Sequence, residues 1–577
     1  MVGETVSSMR TAPVSTAGGS GSEQAQGLTS STTGPEQTSS STTSSTATST
    51  TSTTVATPTS STSVVGEPTS EPSTTAPEET TTTEGVVPSP QIPAAVSRTD
   101  IPVASLVLAV AVLSVVGALV FAAVRRTDAG TRRGPGGGPA PSDGRRATEA
   151  VGSVEPSVAD RHERVVTLRF LLELARALVD VGDPVDDVQE TIVRVGAVNG
   201  LTGIGVVALP TALMISLPGE ADVQTEVSTA GRSRLRLDQT QEIFEIVAAA
   251  ERGELAPADG LVAIERARAM APLFAPPVRL LGAALFTLGA ASILRAGWAD
   301  LLLAVVLGVG VGALQLLIER WPSHTNVDVR AFWPLLASFV VSAAVFTAAR
   351  AFPEVTAFAP IVSALFTFLP GGLLTIGVLE LATGGLVSGA GRLASGALQL
   401  ALLALGIVAG AQLIGVPASS IADGAGASWG SALAWIGVAV YGVGIFLFHG
   451  GRRWSLGWML VVLYVAFAGQ VVGGAFFGGA LSAFFGALAM TPFAVVGARR
   501  GWGPAMLVSF LPAFWLLVPG ALGLQGVTRF IGGDELAGFD VILVTGSTML
   551  GIALGVLLGT AVGANLADRR WGVPRLR

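Results

Sequence analysis

Two Pro-Gly dipeptides set in apolar sequence are the residues best able to do chemistry in this chain. Pro370-Gly371 stands in Leu369–Leu381 and Pro519-Gly520 in Val518–Phe530. At a constant offset of 149 the two stretches match at Pro370/Pro519, Gly371/Gly520, Leu373/Leu522, Gly377/Gly526 and Val378/Val527. One residue out of that register, Ser395-Gly396 pairs with Thr545-Gly546. Proline has no N–H and clashes with the preceding turn, so each pair interrupts an apolar helix and frees backbone groups inside it. Freed carbonyls can accept from an ammonium group, and the N-terminus of a half-helix favours a carboxylate. The candidate substrate-binding set is therefore Pro370, Gly371, Gly372, Thr375 and Glu380 in the first copy, and Pro519, Gly520, Gln525 and Arg529 in the second. Glu380 and Arg529 occupy matching positions near the membrane edges, where ionisable groups are costly and often functional. Against this stand plainer readings, a packing kink for Pro-Gly and an interfacial charge for Glu380 and Arg529. Further polar residues at membrane depth are Gln315, Thr367, Gln399, Gln412, Gln470, Thr491, Ser509 and Thr545. Isolated Ser and Thr in such helices usually bond back to their own backbone. Asp540 reads as a cap for the last helix.

Other chemistries are excluded by residue type. Cysteine is absent, and all 34 basic residues are Arg, which removes thiolate nucleophiles, Cys–zinc sites, Schiff bases and P-loop lysines. The three histidines, His162, His324 and His449, are too scattered for a triad or a metal site. Asp183, Asp186, Asp187 and Glu190 cluster at a helix start and mainly complement its dipole. Gly426-Ala-Ser428-Trp-Gly430 imitates a hydrolase elbow but has no strand before it. No cofactor and no metal are expected, and no basic patch points to nucleic acid.

The elements that must hold the paired breaks are membrane helices. Hydrophobic residues make up 50% and charged residues 13% of the 577, against about a quarter charged in soluble domains. Residues 1–100 are a Ser/Thr-rich tail too polar to fold. Residues 103–124 form an N-terminal transmembrane helix, followed by a basic Gly/Pro linker over 125–160. Residues 161–275 read as a small α+β domain, with helices over 165–179, 185–198, 238–252 and 257–270 on both sides of strands near 203–209, 212–217 and 223–228. Ten apolar segments follow, near 278–296, 299–318, 332–350, 356–379, 393–414, 430–448, 455–470, 473–496, 504–524 and 540–563. With 161–275 in the cytoplasm, eleven loop arginines fall inside and three (Arg295, Arg350 and Arg529) outside, as the positive-inside rule requires. Arg125 and Arg126 independently place the tail outside and residues 125–275 in the cytoplasm. The breaks then lie five helices apart and run oppositely. The fold class is an α-helical polytopic membrane protein with two inverted five-helix repeats, 276–414 and 415–565, and a cytoplasmic terminus at 566–577.

Phe170–Leu178 leading to Gly182-Asp183-Pro184, then Val188, Arg194-Val195 and Ala208-Leu-Pro-Thr211, with Leu-Pro-Gly and Val-Pro-Gly breaks in ten helices, resembles the threonine/serine exporter family over about residues 160–565. The resemblance implies export of threonine and serine across the cell membrane, driven by protons. It also implies a cytoplasmic domain of unassigned role, sometimes suspected of hydrolase-like activity. Split relatives that export succinate keep a dicarboxylate exporter as the alternative, and a membrane-tethered hydrolase is the remaining one. Partners are the substrate, protons and the lipid bilayer, with homo-oligomerisation left open.

Overall fold

A computed structural model describes residues 103–130, 158–218, 223–231, 235–320, 332–417, 430–517 and 519–568. The Ser/Thr tail, most of the linker, the C-terminal residues 569–577, His324 and the elbow-like Ser428 lie outside the described residues.

The N-terminal helix α1 (Val103–Gly130) packs mainly on α13 (Ser455–Phe477), and also touches α12 (Gly430–His449). Its Ala109 is fully buried, and Ser105 accepts a 3.1 Å hydrogen bond from the Trp435 indole.

The α+β domain comprises α2 (Val158–Val181), α3 (Val185–Val198), strands β1 (Gly205–Ala208), β2 (Ala212–Pro218) and β3 (Val223–Thr229), then α4 (Leu237–Glu251) and α5 (Pro257–Ala269). The strands form an antiparallel meander in the order β1-β2-β3. On β2, Leu213, Ile215 and Leu217 are buried, and α2 packs against β2 and β3 while α3 packs against β1. The opposite face carries Val207, Met214 and Val227, which are directly opposed across the ladder and all exposed. Among the described residues the helices therefore lie on one side of the sheet, and the expected two-sided cover is corrected. The period of two sends the apolar set of β2 to a single face.

The membrane part contains α6 (Pro276–Ile293), α7 (Trp298–Arg320), α8 (Trp333–Ala351), the pair α9 (Phe358–Leu365) and α10 (Gly371–Thr383), and α11 (Leu386–Ile414). A second series follows with α12, α13, α14 (Gly479–Arg499), the pair α15 (Met506–Leu517) and α16 (Pro519–Ile531), and α17 (Glu535–Asp568). Among the described residues nine helices are long and apolar enough to cross a bilayer, and the α9–α10 pair, bent by 63°, is long and apolar enough only when its two helices are taken together. Two boundaries differ from expectation. The break expected within 470–473 lies at Gly478, whose φ of 84° turns the chain. Gly473 lies within α13, where a Cβ would sit 2.8 Å from that of Phe485, so this glycine serves close packing. Helix α17 begins at Glu535, which places Asp540 in its second turn and not at its cap.

Packing recurs between the two series: α8 with α11 and α14 with α17, α10 with α11 and α16 with α17. Glycines at the same offset do the same work. A Cβ on Gly377 would meet the Gly389 carbonyl at 3.0 Å, and one on Gly526 would meet the Gly538 carbonyl at 3.2 Å. The first helices of the series, α6 and α12, pack antiparallel and backbone to backbone. A Cβ on Gly289 would lie 2.3 Å from Tyr441 N, and one on Gly444 2.2 Å from Phe286 N.

Candidate functional site

The two Pro-Gly breaks touch. A Cβ on Gly520 would come within 3.2 Å of Gly371 N and Leu369 Cβ and 3.3 Å of Gly371 Cα, while one on Gly372 would be 3.4 Å from Trp515 Nε1. A side chain at Gly520 would have to push its neighbours aside by a few tenths of an ångström. At the first break the chain leaves α9 through a 3-10 turn at Phe366–Phe368 and restarts at Gly371 with Pro370 as N-cap. Two of the polar residues singled out in the sequence converge on that turn. Gln399 donates to the Phe368 carbonyl at 2.6 Å, and Gln315 to Thr367 Oγ1 at 2.6 Å. Part of the freed backbone is thus satisfied by the protein itself. At the second break Val518 lies outside the described residues, and Gly520 is buried.

Beside the breaks lies a cavity of about 670 Å³. Leu516, Leu517, Ala521 and Leu522 from both sides of the second break line it, together with Phe358, Val362 and Phe366 from the first broken span. Gln470 and Tyr441 add polar groups. The Tyr441 hydroxyl donates to the Pro512 carbonyl at 3.3 Å.

The remaining candidates are dispersed. The buried Thr375 hydroxyl is committed to the Gly371 carbonyl at 3.0 Å. Thr491, Ser509 and Thr545 bond back to their own helices, and Gln412 is exposed. Gln525 and Arg529 are half-buried on α16, and the Arg529 Nε has no partner among the described residues. Two fully buried hydroxyls on the broken spans, Ser363 and Thr528, are likewise unpartnered.

Glu380 sits elsewhere. It lies nine residues beyond Gly371, about 13 Å along α10, and only 1% of it is exposed. Oε1 accepts from Val185 N at 3.2 Å, and Oε2 accepts from Ser388 Oγ at 2.5 Å and Arg392 Nε at 3.0 Å. Arg392 also donates to the Asp183 carbonyl at 3.3 Å. The structure therefore places Glu380 against the α+β domain rather than at the break. Asp183, at the α2–α3 turn, has its carboxyl pushed up to about 8 by desolvation and by the Asp187 carboxylate, against the pull of Arg392. Asp187 is raised by desolvation and by Glu190 and Asp186, with Arg194 opposing. Sequence reasoning had no signal for these pairings, whose partners are 195 and 209 residues apart.

Every contact just described between the α+β domain and the membrane helices falls at one end of the helices. The same holds for Arg452, which pairs with Glu242 and with Glu245 (2.9 Å), and for Ala505 N, which donates to Gln241 at 2.7 Å. Leu507 of α15 is part of the domain's own core. We call this end the domain side and the other the far side, where Asp300 accepts from Gly297 N, Thr356 N and Thr356 Oγ1.

Residues 169–414 match the family described as "Putative threonine/serine exporter". Pheromone-regulated membrane protein 10 of Candida glabrata is 24% identical over 428 residues, covering 68% of this chain and 52% of the relative. The protein of the same name from Zygosaccharomyces rouxii is also 24% identical over 428 residues, covering 68% and 42%. The one from Saccharomyces cerevisiae is 26% identical over 259 residues, covering 43% and 32%. The chain thus spans about half, or less, of the length of these curated relatives. No solved structure matches. Over residues 169–414, from the α+β domain through α11, this membrane protein is similar in sequence to the threonine/serine exporter family.

Proposed function

We propose that the chain is a secondary transporter that exports threonine and serine across the plasma membrane in exchange for protons. In this reading the two series are inverted five-helix repeats, residues 125–275 face the cytoplasm and the N-terminal tail faces outside. Substrate is handled where Pro370, Gly371 and Gly372 meet Pro519 and Gly520, with Thr375, Gln525 and Arg529 nearby on the two half-helices. The observation that carries the proposal is the contact between two matching helix breaks beside a 670 Å³ cavity. Discontinuous helices meeting near the bilayer midplane expose backbone dipoles where no side chain need supply charge. Such breaks are tolerated in the hydrocarbon layer only where protein or a polar cavity satisfies them. The antiparallel run of α6 against α12 is what an inverted pair requires.

The test is export of labelled threonine, serine and succinate from loaded proteoliposomes, with and without a proton gradient. Pro370→Ala, Pro519→Ala and Gly520→Leu should insert normally and export threonine at under about a tenth of the parental rate, a rise of about 1.4 kcal/mol or more in the barrier. Leu398→Ala, on an exposed face, should be silent. Parental rates and affinities in all three variants would reduce the breaks to packing kinks.

A further inference from the structure

Arg295 occupies a backbone conformation that its residue type resists. It is the non-glycine residue with positive φ among the described residues, at 59°. It follows the C-cap Leu294 of α6. Arg295 N donates to the Ser292 carbonyl and Ala296 N to the Ala291 carbonyl. Those two bonds make a Schellman ending, in which the residue in Arg295's place is usually glycine because a Cβ is disfavoured there. An observed outlier of this kind points toward function when the side chain has somewhere to act.

Here it does. Arg295 lines the cavity beside the breaks, at its far-side end, and it is the one charged residue among the lining residues. No carboxylate lines the cavity, and the guanidinium has no hydrogen bond or ion pair among the described residues. A planar fork of donors at the mouth of a largely apolar cavity matches a carboxylate in geometry and charge. It also raises the local concentration of anionic groups at the opening.

We propose that Arg295 is the far-side binding residue for the substrate's carboxylate, so that the substrate class is set by a carboxylate that threonine, serine and succinate share. The proposal rests on the transport reading above and names a group outside the two breaks. A strained arginine is retained where glycine would fold more easily because its head group meets the carboxylate as it passes between cavity and solvent.

The test uses the full chain in proteoliposomes, with exchange measured separately for substrate presented on the far side and on the domain side. Arg295→Gly removes the guanidinium and relieves the backbone, so its thermal midpoint should equal or exceed the parent's. Its far-side KM for threonine should rise at least tenfold while its domain-side KM stays within twofold. Threoninol, which keeps the amine and hydroxyl but lacks the carboxylate, should compete equally weakly against both proteins. Arg295→Lys should recover part of the affinity, and Arg295→Asn, tolerated at positive φ, should behave like the glycine variant. An unchanged far-side KM in Arg295→Gly, with parental transport intact, overturns the assignment alone. A parent that moves none of the three carboxylates overturns the transport reading and this assignment together.

Discussion

The two broken spans share a sequence motif but differ in what holds them. The first, α9–α10, is tied to the rest of the protein at its break and at its domain-side end. Gln399 occupies the Phe368 carbonyl at the break, and its domain-side end is closed by the buried Glu380–Arg392 pair, with Ser388 and Val185 N completing the carboxylate's partners. The second, α15–α16, is rooted in the α+β domain through Leu507 and the Gln241–Ala505 bond, but its break borders the cavity and its far-side Arg529 leaves Nε unpartnered. Matching positions thus carry opposite duties: Glu380 fastens a helix to another domain, while Arg529 does not. Two matching stretches of sequence thus share a helix break without sharing the work of their charges.

The largest effect should come from breaking that asymmetry at its strongest point. Arg392→Ala strands the Glu380 carboxylate, which is 1% exposed, and should cost about 3–5 kcal/mol of stability. Arg529→Ala, at the matching end of the other span, should cost under about 1 kcal/mol. Thermal melts of the detergent-solubilised variants check both, and comparable losses would erase the distinction between the spans. Replacing Glu380 and Arg392 together by Leu and Met should restore much of the loss, since no buried charge then lacks a partner.

A smaller effect is expected at the breaks' hydrogen bonds. Gln399→Leu leaves the Phe368 carbonyl without its donor and should cost about 1–3 kcal/mol. Ser363→Ala and Thr528→Val remove hydroxyls that already lack partners, so they should be neutral or stabilising by melting. If either instead lowers transport while leaving the melt unchanged, that hydroxyl serves the substrate.

A pH dependence is expected as well, at the turn that meets the first span's anchor. Folded Asp183 keeps its proton up to about pH 8, whereas the unfolded chain releases it near 3.8. The folded state therefore holds the extra proton between those values, and stability falls as pH rises through that window and levels off above it. The groups facing Asp183 are Asp187 on α3 and Arg392 on α11, with Glu380 of α10 bonded two residues away at Val185. Asp183→Asn should flatten the melting temperature between pH 5 and 8 relative to the parent. An identical slope in both proteins would remove Asp183 as its source.

Much of this fold could be read from the sequence because lipid and packing leave strong patterns. Continuous apolar runs marked the spans, Gly182-Asp183-Pro184 marked the α2–α3 turn, and the offset of 149 marked breaks that prove to be in contact. One boundary was misplaced: the break expected between 470 and 473 lies inside α13, and Gly478 makes the turn. The sheet's exposed face was missed because Val207, Met214 and Val227 look like core residues until the register places them outward. Arg295 gave no signal, since neither its backbone conformation nor the cavity it borders follows from neighbouring residues. The Glu380 network was equally silent, as its members meet only after the α+β domain docks.

The bare-backbone seam between α6 and α12 bears on how such a chain could be assembled. Each series offers the other its own first helix, so like meets like, as in the isologous face of a two-fold homodimer. Gly282 and Gly289 on one side and Gly437 and Gly444 on the other admit the opposing peptide planes so closely that any Cβ would collide. Complementarity of that kind resides in the interface and not in the peptide that links α11 to α12. A polypeptide cut between those helices and produced as two chains should therefore find its other half in the membrane.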